Sequence, residues 1–247
     1  MGTVSIQGSV GFNGKNKSSD VIAVKTRLVE LGFDWLDPNE TKVGPLTIKT
    51  IKLFQAIKNG YDVVNSKSDG IIDVGKDTHN WLNAKNSPHW VRMPAGSKEE
   101  GFVNREVNDF SDNHDYGTDW LADTLTEAGA QYKSDYLDSN PNAALLTFND
   151  ASIPQGGNTP SHAGHETGLV IDVYLPRKDG KAGGTVVGNS NYDRKAMRAM
   201  IKAFLDQPLA DRVFLNDSVL INEGLCRWVS GHDNHAHFEI LPPKREM

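Results

Sequence analysis

Three histidines lie within six residues near the C-terminal end of the chain, at His232, His235 and His237. On a β-strand, residues two apart project from the same face, so His235 and His237 would present two imidazole rings side by side. Such a pair can hold a metal ion, but a hydrolytic zinc site typically has three protein ligands and an open position for water. The spacing therefore predicts that further ligands come from elsewhere in the chain.

The segment 161–173 is the best source of those ligands, because it contains His162, His165 and Asp172. Asp172 lies within the apolar run 169–175, where an unpaired carboxylate would be costly, and metal coordination or an ion pair is the usual resolution. Gly168 can provide a turn between the loop that carries His165 and the strand that carries Asp172. One ligand from the loop, one from this strand and one from a neighbouring strand would give a His-Asp-His set.

Two imidazoles and one carboxylate suit Zn²⁺ with an open fourth position, and the third member of the set would be His237. The alternative is a buried Asp172 that forms a salt bridge with Arg177 or Arg227, with unrelated histidines at the surface. The remaining histidines, His79, His89 and His114, are scattered in the sequence. We expect those three to be exposed or simply hydrogen-bonded.

The segments 162–173 and 232–237 resemble the two signature motifs of the penicillin-insensitive murein endopeptidases. That family belongs to the zinc peptidases that include the D-alanyl-D-alanine metallopeptidases and the lysostaphin-type enzymes. The wider pattern is His-x6-Asp followed by His-x-His, and its matching residues are His165, Asp172, His235 and His237. The narrower match adds His162, Gly168-Leu169, His232-Asp233, Asn149-Asp150 and residues 155–157. The resemblance covers roughly residues 145–240.

The resemblance implies a role for each matching residue. The expected Zn²⁺ ligands are His165, Asp172 and His237. His235 would lie beside the metal as a partner of the transition state, and His232 would assist proton transfer. Glu166 is a further candidate base, ranked below His232 because it lies outside the matched motif. Departures from the usual family residues, which leave the substrate preference open, occur at Gly164, Val170, Asn234 and Ala236.

The N-terminal part of the chain is predicted to form three short helices. Asp20 is expected to cap the first, which Gly32 ends; Gly44-Pro45 opens the second; and the third covers 78–83. The sequence here resembles the three-helix peptidoglycan-binding domain, on Asp20-Val21, Leu28, Leu31-Gly32-Phe33, Gly44-Pro45-Leu46-Thr47, Ile51, Phe54-Gln55, Asp69-Gly70-Ile71-Ile72 and Thr78. This resemblance implies binding to cell-wall glycan or stem peptide, although such a module can also act as a spacer.

The predicted fold class is α+β: a small antiparallel sheet zinc-peptidase domain preceded by the three-helix domain. Residues 1–88 are assigned to the peptidoglycan-binding domain, 89–105 to a linker or ordered strap, and 106–247 to the catalytic domain. Within the last of these, the apolar patterns predict helices over 119–128 and 191–205 and strands over 144–148, 169–175 and 236–241.

Composition excludes several classes of protein. The formal net charge of −6 argues against a nucleic-acid partner. No apolar run approaches the roughly 18 residues that would suggest insertion into a membrane. Residues 1–20 lack the basic and apolar regions of a signal peptide, so we expect synthesis in the cytoplasm without one. The lone Cys226 excludes an internal disulfide and is expected to be a small buried residue.

Together the two resemblances imply a peptidoglycan hydrolase that cleaves stem-peptide cross-links with zinc-activated water, as a D-alanyl-meso-diaminopimelate endopeptidase. It would reach the periplasmic cell wall as an endolysin released by lysis, with a holin, or as an antibacterial effector with a dedicated secretion machine and an immunity protein. One alternative is a D,D- or L,D-carboxypeptidase that acts on uncrosslinked stem peptides. Another is a non-catalytic cell-wall-binding protein whose metal site is purely structural.

Overall fold

A computed structural model describes residues 3–109, 113–159, 162 and 164–247 of the chain. Ser161 and Ala163 of the histidine-rich segment lie outside these described residues, as do residues 110–112. The described chain is a mixed α+β structure. The predicted α+β class is therefore confirmed.

Six α-helices occur in the described part of the chain. They are α1 (Ser18–Glu30), α2 (Pro45–Lys58), α3 (Asp77–Leu82), α4 (Asp119–Asp135), α5 (Arg194–Leu205) and α6 (Ser218–Asn222). Short 3₁₀ turns cover Glu106–Asn108 and Leu137–Ser139. Pro45 opens α2, because its fixed φ suits a first helical position and its missing N–H is not needed there. Asp193 caps α5 by accepting the backbone N–H groups of Lys195 and Ala196.

The strands are β1 (Val10–Gly11), β2 (Ile71–Ile72), β3 (Trp90–Arg92), β4 (Gly96–Ser97), β5 (Phe102–Asn104), β6 (Tyr116–Thr118), β7 (Leu146–Phe148), β8 (Val170–Tyr174), β9 (Ala210–Phe214) and β10 (His235–Ile240). Six of them form one sheet in the order β4-β5-β7-β8-β10-β9. Neighbouring strands of this sheet are antiparallel except for the parallel pair β5 and β7. Two small sheets pair β1 with β2 and β3 with β6.

One face of the large sheet is covered by α4 and α5, which pack against each other. Phe204 of α5 contacts Phe238 of β10, with ring centroids 4.3 Å apart. Because side chains alternate along a strand, the neighbours of Phe238 in sequence, His237 and Glu239, point to the opposite face. That opposite face carries the polar residues of the site.

The N-terminal helices form as predicted, with one correction. Asp20 does not cap α1, which begins at Ser18 and has no side-chain cap. Asp20 is instead buried within the first turn, where its carboxylate accepts the backbone N–H of Gly8 at 2.8 Å. The preference of aspartate for a cap is overridden here, because the carboxylate anchors the chain that precedes the helix.

Residues 89–105 differ from an unstructured linker. They contribute β3, β4 and β5, and Phe102 of β5 is fully buried against Phe148 of β7. Trp90 of β3 stacks on Phe33 after α1, and its indole N–H donates to the carbonyl of Pro154 at 2.7 Å. This segment is therefore an ordered strap that contacts both the large sheet and the part of the chain that contains α1–α3, called the helical part below. The domain boundaries themselves stay a prediction.

The C-terminal residues also return to the helical part. The backbone N–H of Lys85 donates to the carbonyl of Glu246 at 2.9 Å, and the guanidinium of Arg245 pairs with Asp77 of α3.

Among the helices of the described residues, none combines the length and apolar composition that a membrane crossing requires.

Candidate metal centre

Asp172 and His237 meet because their strands place them opposite each other. In the antiparallel pairing of β8 with β10, His237 is the direct cross-strand partner of Asp172. Such partners lie close enough for their side chains to interact. His237 Nδ1 is 2.9 Å from Asp172 Oδ1, and both residues are buried.

His165 reaches the same point from the loop before β8. Its φ of 59° lies in the left-handed region, which is uncommon for a residue other than glycine. Ser152 holds this loop, since its hydroxyl donates to the carbonyl of His165 at 2.6 Å and accepts the N–H of Gly168 at 2.9 Å. Gly168 has a φ of 64° and lies against the backbone of Gly117, so it provides the predicted turn into the strand.

The three predicted ligand atoms converge. His165 Nε2 is 3.1 Å from His237 Nδ1 and 3.4 Å from Asp172 Oδ1, and the third separation is the 2.9 Å between His237 and Asp172. Ligand atoms bound to a tetrahedral zinc ion at about 2.0–2.1 Å are about 3.3 Å apart. The donor set therefore fits a single metal ion of that size.

The outer nitrogens of the two imidazoles are held so that the inner ones face each other. His165 Nδ1 lies 3.1 Å from the carbonyl oxygen of Ala151, to which only an N–H can donate. His237 Nε2 lies 3.3 Å from the carboxylate of Glu239. Hydrogen bonds of this kind fix the tautomer of a metal ligand. The inner nitrogens then direct lone pairs at one point beside a carboxylate, an arrangement that a cation stabilises.

The carboxylate of Asp172 shows the same electrostatic preference for positive charge. Burial raises the pKa of Asp172, but its interactions with His165 and His237 outweigh it and hold that pKa well below its usual range. Burial opposes the charged form of His237 too, yet its hydrogen bonds to Asp172 and Glu239 raise its pKa to about 9. In the metal-free protein, the proton on His237 therefore supplies part of the positive charge that a bound metal ion would supply.

Metal uptake should therefore depend on pH. Binding needs the neutral imidazole of His237, so a proton is released wherever the pH is below about 9. We expect the apparent Zn²⁺ affinity to rise by about tenfold per pH unit towards that value and then to level. Calorimetry near pH 7 in buffers of different protonation enthalpy should find about one proton released per ion bound. An affinity independent of pH would contradict the assignment of His237.

The same shift affects the metal-free protein. The pKa of His237 is raised from 6.5 to about 9, so its pairing stabilises the fold fully below 6.5 and is lost as the pH rises through 9. Zinc-free protein is expected to show a lower melting temperature at alkaline pH, and bound zinc should oppose the change.

Glu239 and Arg212 complete the site, and sequence reasoning missed both. Glu239 is buried two residues after His237 on the same face of β10, and the guanidinium of Arg212 on β9 pairs with its carboxylate. The interactions with His237 and Arg212 outweigh burial and lower the pKa of Glu239, so it stays a carboxylate. A charged residue in an apolar strand was the available signal, as it was for Asp172.

Replacing Glu239 by glutamine is expected to weaken zinc binding by about 10–100-fold, the usual effect of removing the partner of a metal-bound histidine. The amide can still accept a hydrogen bond from His237, so the loss of zinc affinity measures the contribution of the negative charge of Glu239. A chelator competition measures the affinity. The matched control is Glu223→Gln, which removes a carboxylate paired with Arg198 at the surface and should leave zinc affinity unchanged.

His235 and His232 lie beside this cluster on its open side. His235 Nε2 is 3.7 Å from Asp172 Oδ2, as expected for a residue that shares a face with His237. Burial lowers the pKa of His235, more than Asp172 raises it. The half-buried His232 ring lies 4.8 Å from that of His235 and 5.7 Å from that of His237. Both predicted catalytic histidines are therefore brought to the site.

Glu166 is turned towards the helical part of the chain. Its carboxylate accepts the backbone N–H of Val64 at 2.7 Å, and its own N–H donates to the carbonyl of Asp62 at 3.2 Å. These bonds join the loop that bears His165 to the chain after α2. This placement makes Glu166 a poor candidate for the base and favours His232 or His235.

The alternative prediction, in which Asp172 forms a salt bridge with Arg177 or Arg227, is wrong. Within the described residues, the ionisable side chains within 4 Å of the Asp172 carboxylate are those of His165, His235 and His237, and Arg177 pairs with Asp179 instead. Cys226 is buried as predicted, and burial raises the pKa of its thiol to about 12, so it is not a nucleophile at neutral pH.

The remaining histidines divide into two kinds. His79 and His89 are hydrogen-bonded, to the backbone near α3 and to Asp119 respectively. His114 is not a surface residue: it is buried beside Asp150 and His162. His162 also lies within 4.8 Å of the ligand atoms of His165 and Asp172, so it neighbours both groups. Sequence spacing alone could not have shown this, because His114 is distant in the chain.

The cluster is thus a His/Asp site able to hold a metal ion, with two imidazoles beside it that can accept or donate protons. Neither a protein-family model nor a curated protein matches the chain. The chemistry of the site is therefore what bears on function.

Proposed function

We propose that the protein is a zinc-dependent peptidoglycan hydrolase that cleaves stem-peptide cross-links, as a D-alanyl-meso-diaminopimelate endopeptidase. The observation that carries the proposal is the convergence of His165 Nε2, His237 Nδ1 and Asp172 Oδ1 within 3.4 Å of one another. This is the ligand set implied by the resemblance to the penicillin-insensitive murein endopeptidases. Three protein donors with neighbouring imidazoles suit a hydrolytic site better than a structural site, which usually closes with four protein ligands.

The bound ion would be held by those three residues. Zinc in such a site acts as a Lewis acid and lowers the pKa of water to near 7. Glu239 and the carbonyl of Ala151 orient the two imidazole ligands, and Arg212 holds Glu239 in place. These contacts position the donors before any substrate binds.

Proton transfer is the proposed role of His232, and His235 is proposed to stabilise charge beside the metal. The Nδ1 of His232 faces the carbonyl of Ser230 at 3.2 Å, and that of His235 faces the amide oxygen of Asn234 at 2.8 Å. Carbonyl oxygens accept from N–H, so in both rings Nε2 is the basic nitrogen. An imidazole can take a proton from water and give it to a leaving amine near neutral pH.

The helical part is proposed to bind the cell wall, as the resemblance to peptidoglycan-binding domains implies. Helices α1–α3 and the ribbon β1–β2 contribute buried apolar residues, including Val24, Leu28, Phe54 and Leu82, to a core that continues into the rest of the described chain. Attachment to the wall would raise the effective concentration of cross-links near the site. Delivery by lysis as an endolysin, with a holin, or by a secretion machine as an effector, with an immunity protein, belongs to the same proposal.

Digestion of purified peptidoglycan tests the activity. Zinc-loaded protein is expected to convert cross-linked dimers into monomers, with products identified by mass. His237→Ala protein, treated in the same way, is the inactive control. Loss of terminal D-alanine from monomers would instead indicate a carboxypeptidase. If neither product changes, the site is not hydrolytic and a wall-binding protein with a structural metal is the better description.

A further inference from the structure

A second group of metal-binding side chains adjoins the first. His114, Asp150 and His162 each offer one ligand atom, and the three atoms lie within 4.8 Å of one another. Asp150 Oδ1 is 3.6 Å from His114 Nδ1, and Asp150 Oδ2 is 3.5 Å from His162 Nε2. Both separations are a few tenths of an ångström above the spacing of about 3.3 Å in a tetrahedral zinc site.

Backbone hydrogen bonds hold this second group in place beside the first. The carbonyl of His114 accepts the N–H of Ala151 at 2.6 Å, and the carbonyl of Asp150 accepts the N–H of Asp172 at 2.8 Å. The side-chain amide of Asn149 donates to Asp150 Oδ2 at 2.7 Å and orients the carboxylate. Orientation of a ligating carboxylate by a hydrogen bond is a regular feature of metal sites.

The donor chemistry also suits a metal ion. Two imidazoles and one carboxylate form a borderline environment that selects zinc and similar divalent ions over magnesium or calcium. The His114 side chain is 6 % exposed and that of Asp150 14 %, whereas His162 is 23 % exposed. One buried donor beside two partly exposed donors leaves a path of entry for the ion.

His162 is the residue that the two groups share. If it bound the first ion, that site would have four protein ligands and would be closed, as structural zinc sites are. If it binds a second ion through the nitrogen that faces Asp150, the first site keeps three ligands. The contact of Nε2 with Asp150 favours the second arrangement.

We propose that His114, Asp150 and His162 bind a second divalent ion of the zinc class beside the His165–Asp172–His237 site. This second ion keeps His162 away from the first. The proposal does not rest on the peptidase function, because occupancy is measured without substrate. A chain without hydrolase activity could still bind both ions, and an active hydrolase could bind one.

Zinc content measures the second site directly. The full chain is saturated with Zn²⁺, freed of excess by gel filtration, and analysed by plasma mass spectrometry against protein concentration. We expect two zinc ions per chain in the wild type, and one in His114→Ala, Asp150→Asn or His237→Ala. His89→Ala, which removes an imidazole paired with Asp119, should keep both. Asp150→Asn retains the shape of the side chain, and circular dichroism confirms folding of each variant.

Cobalt substitution supplies a second readout. Titration of metal-free protein with Co²⁺ should give visible absorption that saturates at two equivalents in the wild type and at one in Asp150→Asn. One zinc ion in the wild type that survives His114→Ala and disappears in His237→Ala would overturn the proposal. Two ions that both survive His114→Ala and Asp150→Asn would also overturn it, by placing the second ion elsewhere.

Discussion

Replacing His165, Asp172 or His237 by alanine is expected to abolish hydrolysis of peptidoglycan and to empty the proposed zinc site. Each of the three contributes a donor atom to a set whose members lie within 3.4 Å of one another. Removal of a ligand leaves two donors, too few for a stable site. The loss of zinc affinity should therefore exceed the roughly 10–100-fold that follows from removing a ligand's hydrogen-bonding partner.

The three alanine variants are expected to differ in their effect on the stability of the metal-free protein. Loss of His237 removes the partner that two buried carboxylates share, Asp172 and Glu239, and leaves Asp172 with less compensation for its burial. His237→Ala should therefore also lower the melting temperature of the metal-free protein. Asp172→Asn keeps the volume of the side chain and removes only its charge, so it separates loss of metal from loss of packing.

Zinc content and product release from peptidoglycan are measured on the same preparations, with His89→Ala as the matched histidine control. That residue is hydrogen-bonded to Asp119 and lies outside the cluster. If a variant keeps wild-type affinity for zinc at the His165–Asp172–His237 site, the residue it replaces is not a ligand. Full hydrolysis by any of the three would refute the proposed centre.

The metal-binding cluster could be predicted from the sequence because its residues depart from the apolar pattern of the strands that carry them. Asp172 interrupts an apolar strand, and His235 and His237 alternate with buried residues on another strand. The cross-strand pairing that joins Asp172 to His237 then follows from placing both polar residues on the same face of neighbouring strands. His165 was proposed as a ligand because Gly168 connects its loop to the strand of Asp172, and the resemblance to known motifs implied the same role.

Other features depend on contacts between distant parts of the chain and could not be predicted locally. His114 joins Asp150 and His162 only through the fold, because the loop before β6 runs beside the end of β7. Phe102 looked like part of a linker because glycine, proline and charged residues surround it, yet it is buried in the core. Asp20 had the sequence position of a helix cap and instead bonds to Gly8. Tertiary contacts override propensity at each of these places.

His232→Ala is expected to retain zinc and to lower turnover by about 10²–10⁴-fold, the range attributed to general acid–base catalysis. His232 is no ligand: its ring is centred 5.7 Å from that of His237, and its Nδ1 faces the carbonyl of Ser230. Its basic Nε2 is available to a proton on water or on the leaving amine. The effect should fall on kcat more than on KM, since the residue is proposed to move a proton rather than to bind substrate.

His235→Ala is the comparison that assigns the base. His235 Nε2 is 3.7 Å from Asp172 Oδ2, and burial lowers the pKa of His235. A residue in that position stabilises charge beside the metal, so its removal should reduce turnover and disturb zinc affinity together. Glu166→Gln should leave both quantities nearly unchanged, because the Glu166 carboxylate bonds to the backbone of Val64.

Chemical rescue sharpens this assignment. His232 is half-buried at the edge of the site, so free imidazole can enter the space that the His232→Ala substitution leaves. Added imidazole should then restore part of the turnover of His232→Ala, in proportion to the fraction of imidazole in its neutral form, and should not restore the ligand variants. Undiminished activity of His232→Ala without imidazole would transfer the proton-carrying role to His235, whose Nε2 already faces the cluster.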